Sequence, residues 1–305
     1  MRQILLVFWL ASAVLLIRER KNSRIIIYLA IFSLVSSLFL LLFAAPDVAM
    51  AEAVVSVFST IIFIVCFEKY YSLEDKSVTA KKTADIKQRI PPAIFSIFLF
   101  ILFVWFIPDN AANPYLKNQY LSMFSQDVGG ENAVTSIYLG YRLYDTLFEA
   151  LMLLVSITAI IHLSWHNDTF FPDQKHSVVQ YSQIAVATIR IICPVLILFG
   201  IYLIMNGHIS PGGGFQGGVM VASFFICRYM IYDIHDMPIG KVIKLEKLVY
   251  VGIVILAVFF ITLIGDIHLP GHKIVYLVLM NTLIGMKVAC GFLIIFYRFI
   301  VYERR

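Results

Sequence analysis

Glu149, Lys287 and Glu52 are ionisable residues set inside long apolar runs, where a side chain of that kind is suited to passing protons or cations. Arg142, Asp145 and Glu149 recur at intervals of three and then four, which puts all three on one face of a helix. An ionised group in a bilayer costs about 2.5–3.5 kcal/mol, so this stripe must face protein or water. Arg142 and Asp145 can neutralise each other as a structural pair. Glu149, nearer the middle of its run, is then the candidate for reversible protonation, because a carboxyl's proton affinity responds strongly to burial and to neighbouring charge. The alternative is a structural network of all three.

Lys287 lies midway along the run that contains NTLIGMKVACG (281–291), with no acidic residue within a helical turn. Either end of the run is about 15 Å away by helical rise, too far for the ammonium to snorkel out. Its counter-charge must come from another segment, and its role is to carry protons, to bias a neighbouring carboxyl, or to form a passive interhelical pair. In APDVAMAEAV (45–54), Asp47 stands where a carboxylate caps a helix start. Glu52, deeper in the run, fits an ion path and a capping or interhelical role equally. Arg190, near the cytoplasmic end of its run at 184–205, fits a snorkelling anchor.

The stretch 206–218 contains Gly207, His208, Pro211, Gly212, Gly213, Gly214, Gln216, Gly217 and Gly218. Glycine at this density permits close backbone approach and unusual dihedrals. It lacks the Gly-Lys-Ser/Thr ending of a phosphate loop. Two readings remain: tight packing against another subunit, or a broken helix lining a hydrated cavity. His208, His268 and His272 share a side with this loop, but lone loop histidines at such spacing read as solvated. Cys66, Cys193, Cys227 and Cys290 stand far apart within apolar runs, without the CxxC spacing of a zinc, iron–sulfur or dithiol site, and read as packing residues. No metal and no cofactor is expected.

The elements that must position these residues follow from composition. Of 305 residues, 60% are hydrophobic and 14% charged, with a mean hydropathy of +0.86, too apolar for a soluble enzyme core. Nine apolar runs can be drawn, at 3–18, 24–44, 48–67, 91–108, 134–161, 184–205, 214–232, 247–265 and 273–300, and the fold class is all-α, a polytopic transmembrane protein. None shows the alternation of a barrel strand. Eighteen of the 24 Lys and Arg fall on one side of the nine spans, and only Arg2, Lys117 and Lys273 on the other. That bias implies an outside N-terminus and a cytoplasmic C-terminus. The net charge of +5 has this topological explanation, and no basic stripe interleaved with aromatics suggests nucleic acid. The first run lacks a small-residue cleavage site and reads as a retained helix. Polar linkers near 68–90 and 162–183 suggest modules at 1–75, 76–170 and 171–305. The long polar stretch 109–133 has room for a surface helix or a cover for a partner. No internal repeat is visible, so an inverted-repeat transporter is not indicated.

GHISPGGGFQGG (207–218), followed by NTLIGMKVACG, resembles the small B subunit of Mrp-type multisubunit sodium/proton antiporters over about 180–305. APDVAMAEAV resembles a module near the C-terminal end of the large Mrp subunit, and RLYDTLFEA (142–150) the module after it. The same order of pieces occurs in Mrp-like units of membrane-bound hydrogenases. The resemblance implies a fused, non-redox, non-catalytic membrane subunit that carries part of a Na+/H+ path in the cytoplasmic membrane. Its expected partners are other antiporter-type subunits. The resemblance also points to Glu149 and Glu52 as the acidic groups of their modules, and to Lys287 with the glycine loop in the third. Phe148 stands where a glycine is usual before that Glu, and Met286 and Cys290 replace more usual residues beside Lys287. Two alternatives are the membrane module of a hydrogenase or related ferredoxin-linked oxidoreductase, and a purely structural assembly subunit.

Overall fold

The computed structural model describes residues 2–19, 21–71, 86–105, 114–163, 183–231, 238–264 and 270–299. Among the described residues all regular structure is helical. In chain order the helices are α1 (Arg2–Arg18), α2 (Asn22–Leu42), α3 (Pro46–Tyr71), α4 (Ile86–Trp105), α5 (Pro114–Asp127), α6 (Ala133–Ser136), α7 (Leu143–Leu163), α8 (Gln183–Asn206), α9 (Gly214–Ile231), α10 (Ile239–Phe259) and α11 (Pro270–Tyr297). Two π-helical turns, Ile137–Tyr141 and Phe260–Ile264, follow α6 and α10.

Six stretches among the described residues are long and apolar enough to cross a membrane: Asn22–Leu42, Pro46–Phe67, Leu143–Leu163, Val186–Asn206, Ile239–Thr262 and Gly271–Tyr297. The protein is a multi-pass membrane protein. Helices also stand at the three other expected positions, as α1, α4 and α9. α10 opens at Ile239 rather than 247, because Lys241, Lys244 and Lys247 are good helix formers that hydropathy alone assigns to a loop. The polar stretch 109–133 contains α5, whose described side chains are mostly exposed.

The chain divides into two compact units. One, residues 70–123, contains α4 and most of α5, and the side chains of α4 from Ile94 to Leu102 are all exposed. The other, residues 1–69 with 124–305, contains the remaining helices. There α9 packs against both α8 and α11, and α11 also meets α10 and α7. Half of α11's apolar stretch is buried, which makes it the helix around which the others gather. It serves two apolar clusters, one built with Leu139, Val249, Ile253 and Tyr276, the other with Val54, Phe58, Val219 and Ile226. Along α10 the buried stripe Glu246, Val249, Ile253, Ala257 keeps helical spacing, with one acid on it.

Local chemistry sets the entry to α3. Trp9 of α1 stacks on Phe32 and Phe39 of α2, at 5.5 and 5.8 Å between centroids, while its Nε1 donates to Ser36 Oγ at 2.7 Å. α2 then stops in a Schellman turn: the Ala45 amide donates to the Leu40 carbonyl and the Ala44 amide to that of Leu41, with Ala44 at φ 56° where glycine is usual. Pro46 follows at the first position of α3, where its missing N–H leaves no bond unmade.

Candidate functional site

Asp47, 7% exposed, anchors a polar knot that joins three distant parts of the chain. Its Oδ1 accepts from Asn132 Nδ2 at 3.0 Å and from the Gly212 amide at 3.1 Å. Asn132 caps α6, its Oδ1 accepting from the Val134 amide, and its Nδ2 also donates to the carbonyls of Gly207 and Ser210. The amides of Glu131 and Asn132 donate to the His208 carbonyl, and Thr135 Oγ1 to that of Gly207. The helix cap that the sequence suggests for Asp47 is thus replaced by a tertiary anchor. Asp47→Ala leaves the Gly212 amide without this acceptor, while Asn132 Nδ2 keeps the Gly207 and Ser210 carbonyls, and is expected to cost about 1–3 kcal/mol. Asp47→Asn keeps a carbonyl oxygen for both and is expected to melt close to wild type in a detergent thermal-unfolding measurement.

The glycines of this loop pack against the chain's own helices. Gly212 and Gly213 hold φ of 151° and 150°, conformations that side-chain-bearing residues rarely adopt. Gly214 opens α9 with its amide donating to Asn281 Oδ1 at 3.1 Å, and Tyr138 OH donates to the same oxygen at 3.1 Å. Gln216 Nε2 reaches the Asp47 carbonyl at 3.5 Å. Pro211 lines a separate cavity of about 440 Å³ together with Ser37, Pro46, Met50 and Tyr202. His208 is half-buried, its Nδ1 3.0 Å from the Met205 carbonyl; His272 lies in α11, and His268 lies outside the described residues. Among the described residues no cluster of three or more His, Cys, Asp or Glu is arranged to hold a metal.

Lys287, 1% exposed on α11, is paired through Nζ with Oε1 of Glu246, 1% exposed on α10. The ammonium also lies 5.0 Å above the centre of the Tyr250 ring. The sequence implies a counter-charge from another segment without identifying it. Glu246 stands between Lys244 and Lys247, so hydropathy reads it as a loop residue. The signal that reveals it is register: it precedes Val249 and Ile253 on the buried stripe of α10.

A cavity of about 380 Å³ brings the separate candidates together. Its lining includes Asp47 from α3, Tyr138 from the π-turn, Thr146 and Glu149 from α7, Gln216 from α9 and Lys287 from α11. Residues that bear two carboxylates, a phenol, an amide and an ammonium thus line one space; Glu149 is exposed, and the Lys287 ammonium is bonded to Glu246. The π-turn breaks the normal helical bonding register, and two of its carbonyls find other donors: Thr146 Oγ1 donates to Tyr138 O at 2.6 Å and Tyr276 OH to Leu139 O at 2.8 Å. These bonds hold the main chain of the turn, and the hydroxyl bond to Asn281 holds the Tyr138 ring.

The expected stripe divides. Arg142 ends the π-turn in a non-helical conformation, φ −110° and ψ 32°, and its Nε donates to Asp145 Oδ2 at 2.6 Å. Both side chains are well exposed, at 66% and 60%, and neither lines the cavity that Glu149 enters. Glu52, half-buried, accepts from Ser33 Oγ of α2 and is likewise absent from the lining, so its described bond is an interhelical one. Asn132, Tyr138 and Glu246 are among the polar residues that sequence reasoning did not single out, as are Thr135, Thr146 and Asn281.

A family model described as "Domain related to MnhB subunit of Na+/H+ antiporter" matches residues 184–294, and the MbhD family model, which describes one component of MBH, matches residues 7–71. The chain is 30% identical over 118 residues to the antiporter subunit mnhB2 of Staphylococcus haemolyticus (strain JCSC1435), a match covering 32% of this chain and 84% of that one. It is also 30% identical over 160 residues to the antiporter subunit mnhA2 of Staphylococcus aureus (strain MRSA252), covering 52% of this chain but only 20% of that larger protein. In fold it is similar to a chain of the Mrp complex from Dietzia sp. DQ12-45-1b, with a TM-score of 0.76 at 18% identity, covering 99% of this chain and 35% of that one. A chain of the membrane-bound sulfane sulfur reductase, an archaeal respiratory membrane complex, gives a TM-score of 0.56 at 23% identity, covering 72% of this chain and all of that one. With an MnhB-type region that spans most of a known B-type subunit, and an MbhD-type region ahead of it, the chain belongs to the family of Mrp-type multisubunit antiporter subunits.

Proposed function

We propose that this chain supplies part of the ion path of a cation/proton antiporter complex that exchanges Na+ for H+ across the cytoplasmic membrane. The observation that carries the reading is the cavity whose lining includes Glu149, Asp47 and Lys287. Carboxylates bind protons and alkali cations alike, and a neighbouring ammonium changes their preference by several-fold or more through its charge alone. Glu149 takes up the ion, Lys287 tunes it, and Asp47 holds the wall in place. The chain itself transports and does not catalyse a covalent reaction. Nine spans with an outside N-terminus and a cytoplasmic C-terminus accord with the charge bias along the sequence. The modules 1–75, 76–170 and 171–305 then divide the labour, the second carrying Glu149 and the third Lys287.

The Arg142–Asp145 pair, exposed where the π-turn meets α7, suits coverage by a partner membrane subunit, since charges facing lipid are costly. In membrane vesicles that contain the intact complex, Glu149→Gln is expected to reduce antiport to background while the subunits still co-purify. Wild-type transport by that variant would remove Glu149 from the path. Wild-type transport after neutralising Glu149 and Lys287 together would leave only an assembly role.

A second reading makes the chain the ion-translocating module of a membrane-bound hydrogenase or related oxidoreductase. It is favoured by the MbhD match at residues 7–71 and by the fold shared with the sulfane sulfur reductase chain. The subunits that co-purify with the chain distinguish the two: iron–sulfur proteins point to the second, antiporter subunits alone to the first.

A further inference from the structure

Lys287 belongs to two places at once. It lines the cavity that holds Glu149 and Asp47, and it is bonded to Glu246 of α10, which is not part of that lining. A lysine carries its charge on a flexible four-carbon stem, so the ammonium can exchange partners without backbone movement. A buried ion pair is seldom more stabilising than a well-packed apolar pair of the same size, so stability alone is a weak reason to keep one beside a polar cavity. The titratable and charged groups around the ammonium are Glu246 and Tyr250 from α10, Cys290 from its own helix, and, across the cavity, Glu149 from α7, Asp47 from α3 and Tyr138 from the π-turn.

We infer that Glu246 is a positioning residue: it draws the Lys287 ammonium away from the cavity carboxylates while they hold an ion, and releases it to them as a built-in substitute cation when they are empty. This rests on the ion-path reading of Glu149. Glu246 then sets the competition between Lys287 and the transported cation, without touching that cation itself. Weakening the Glu246 side leaves the ammonium at the carboxylates, which raises the cation concentration needed to displace it. It also holds those carboxylates ionised, so their protonation requires a lower pH.

The test is made in vesicles containing the complete complex, with Na+ as the probe. Glu246→Gln is expected to raise the apparent KM for Na+ about tenfold and to move the pH optimum about one unit toward acid, the size of effect a close opposite charge has on a carboxyl. Glu246→Asp, which keeps the charge, is expected to restore both toward wild type. Adding Lys287→Gln to Glu246→Gln removes the competitor and is expected to bring the KM back down, whatever happens to the maximal rate. A merely structural role would lower the amount of assembled complex and leave KM and pH profile unchanged, and that result overturns the inference. Should Glu246→Gln fail to assemble, Lys287→Gln alone carries the test: it must lower the KM for Na+ below wild type, and an unchanged value overturns the proposal. Glu149→Gln is measured alongside. Its indifference defeats the ion-path reading, whereas a dead Glu149 variant beside an unaltered Glu246 variant defeats only the present inference.

Discussion

Lys287→Met, in the otherwise intact protein, is expected to lower the unfolding free energy by about 3–5 kcal/mol, the usual cost of removing one member of a buried ion pair. The loss is large because Glu246, 1% exposed, is left buried with its counter-charge gone. Replacing both partners changes the sign of the problem. Lys287→Met with Glu246→Leu leaves no charge to solvate and fills similar volume, so it is expected to recover most of the loss, and pairs of this kind are often neutral or more stable than the original. Thermal unfolding of the purified protein in detergent measures both. Additive losses in the double variant would mean that the two side chains do not depend on each other and would contradict the geometry. The same double variant also lacks the competing ammonium, so its apparent KM for Na+ is expected to lie below that of Glu246→Gln whatever its maximal rate, which separates folding from function.

Gly218→Val is expected to prevent accumulation of folded protein. A Cβ on Gly218 would lie 2.5 Å from the Gly285 carbonyl oxygen and 2.8 Å from Val288 Cβ, both on α11. One turn earlier, a Cβ on Gly214 would lie 2.5 Å from the Asn281 carbonyl oxygen, and on the other face one on Gly217 would lie 2.6 Å from that of Gly200 on α8. α9 therefore approaches two helices backbone to backbone, the way small residues bring helices together where lipid supplies no hydrophobic driving force. Overpacking costs about 1–3 kcal/mol when side chains can adjust and more when they cannot, and here the obstacle is main chain. Gly252→Ala is the control. Its Cβ would meet only Leu283 methyls at 3.8 Å, in the middle of α10, and the change is expected to stabilise by about 0.5–1 kcal/mol through helix propensity. Expression yield and melting in detergent report both variants, and a folded Gly218→Val would show that α9 and α11 stand further apart than described.

The helices were legible because apolar length and the placement of Lys and Arg are properties of composition. The chemistry was legible in part, since a Lys287 without an acid on its own helix announces a partner elsewhere. Finding Glu246 required placing the start of α10 correctly, and the lysines around it pull any hydropathy reading toward a loop. Asn132 and Tyr138 were hidden for a different reason. Asn132 looks like an ordinary loop residue until the Gly207 and Ser210 carbonyls are brought to it. Tyr138 lies in a π-turn, and a shift in hydrogen-bond register leaves no mark on composition. The same turn explains why the three-and-four spacing of Arg142, Asp145 and Glu149 overstated their unity: Arg142 lies outside the helix that carries the other two.

Asp47 has a double allegiance. Asp47 lines the cavity, and its carboxyl is also the peg on which Asn132 and the Gly212 amide hang, which belong to segments 85 and 165 residues further along the chain. An occupant that pulls electron density from this group slackens both bonds together. On the ion-path reading proposed above, occupancy and the tautness of the seam between distant segments are one variable, and a visiting ion is expected to register as a loosened scaffold.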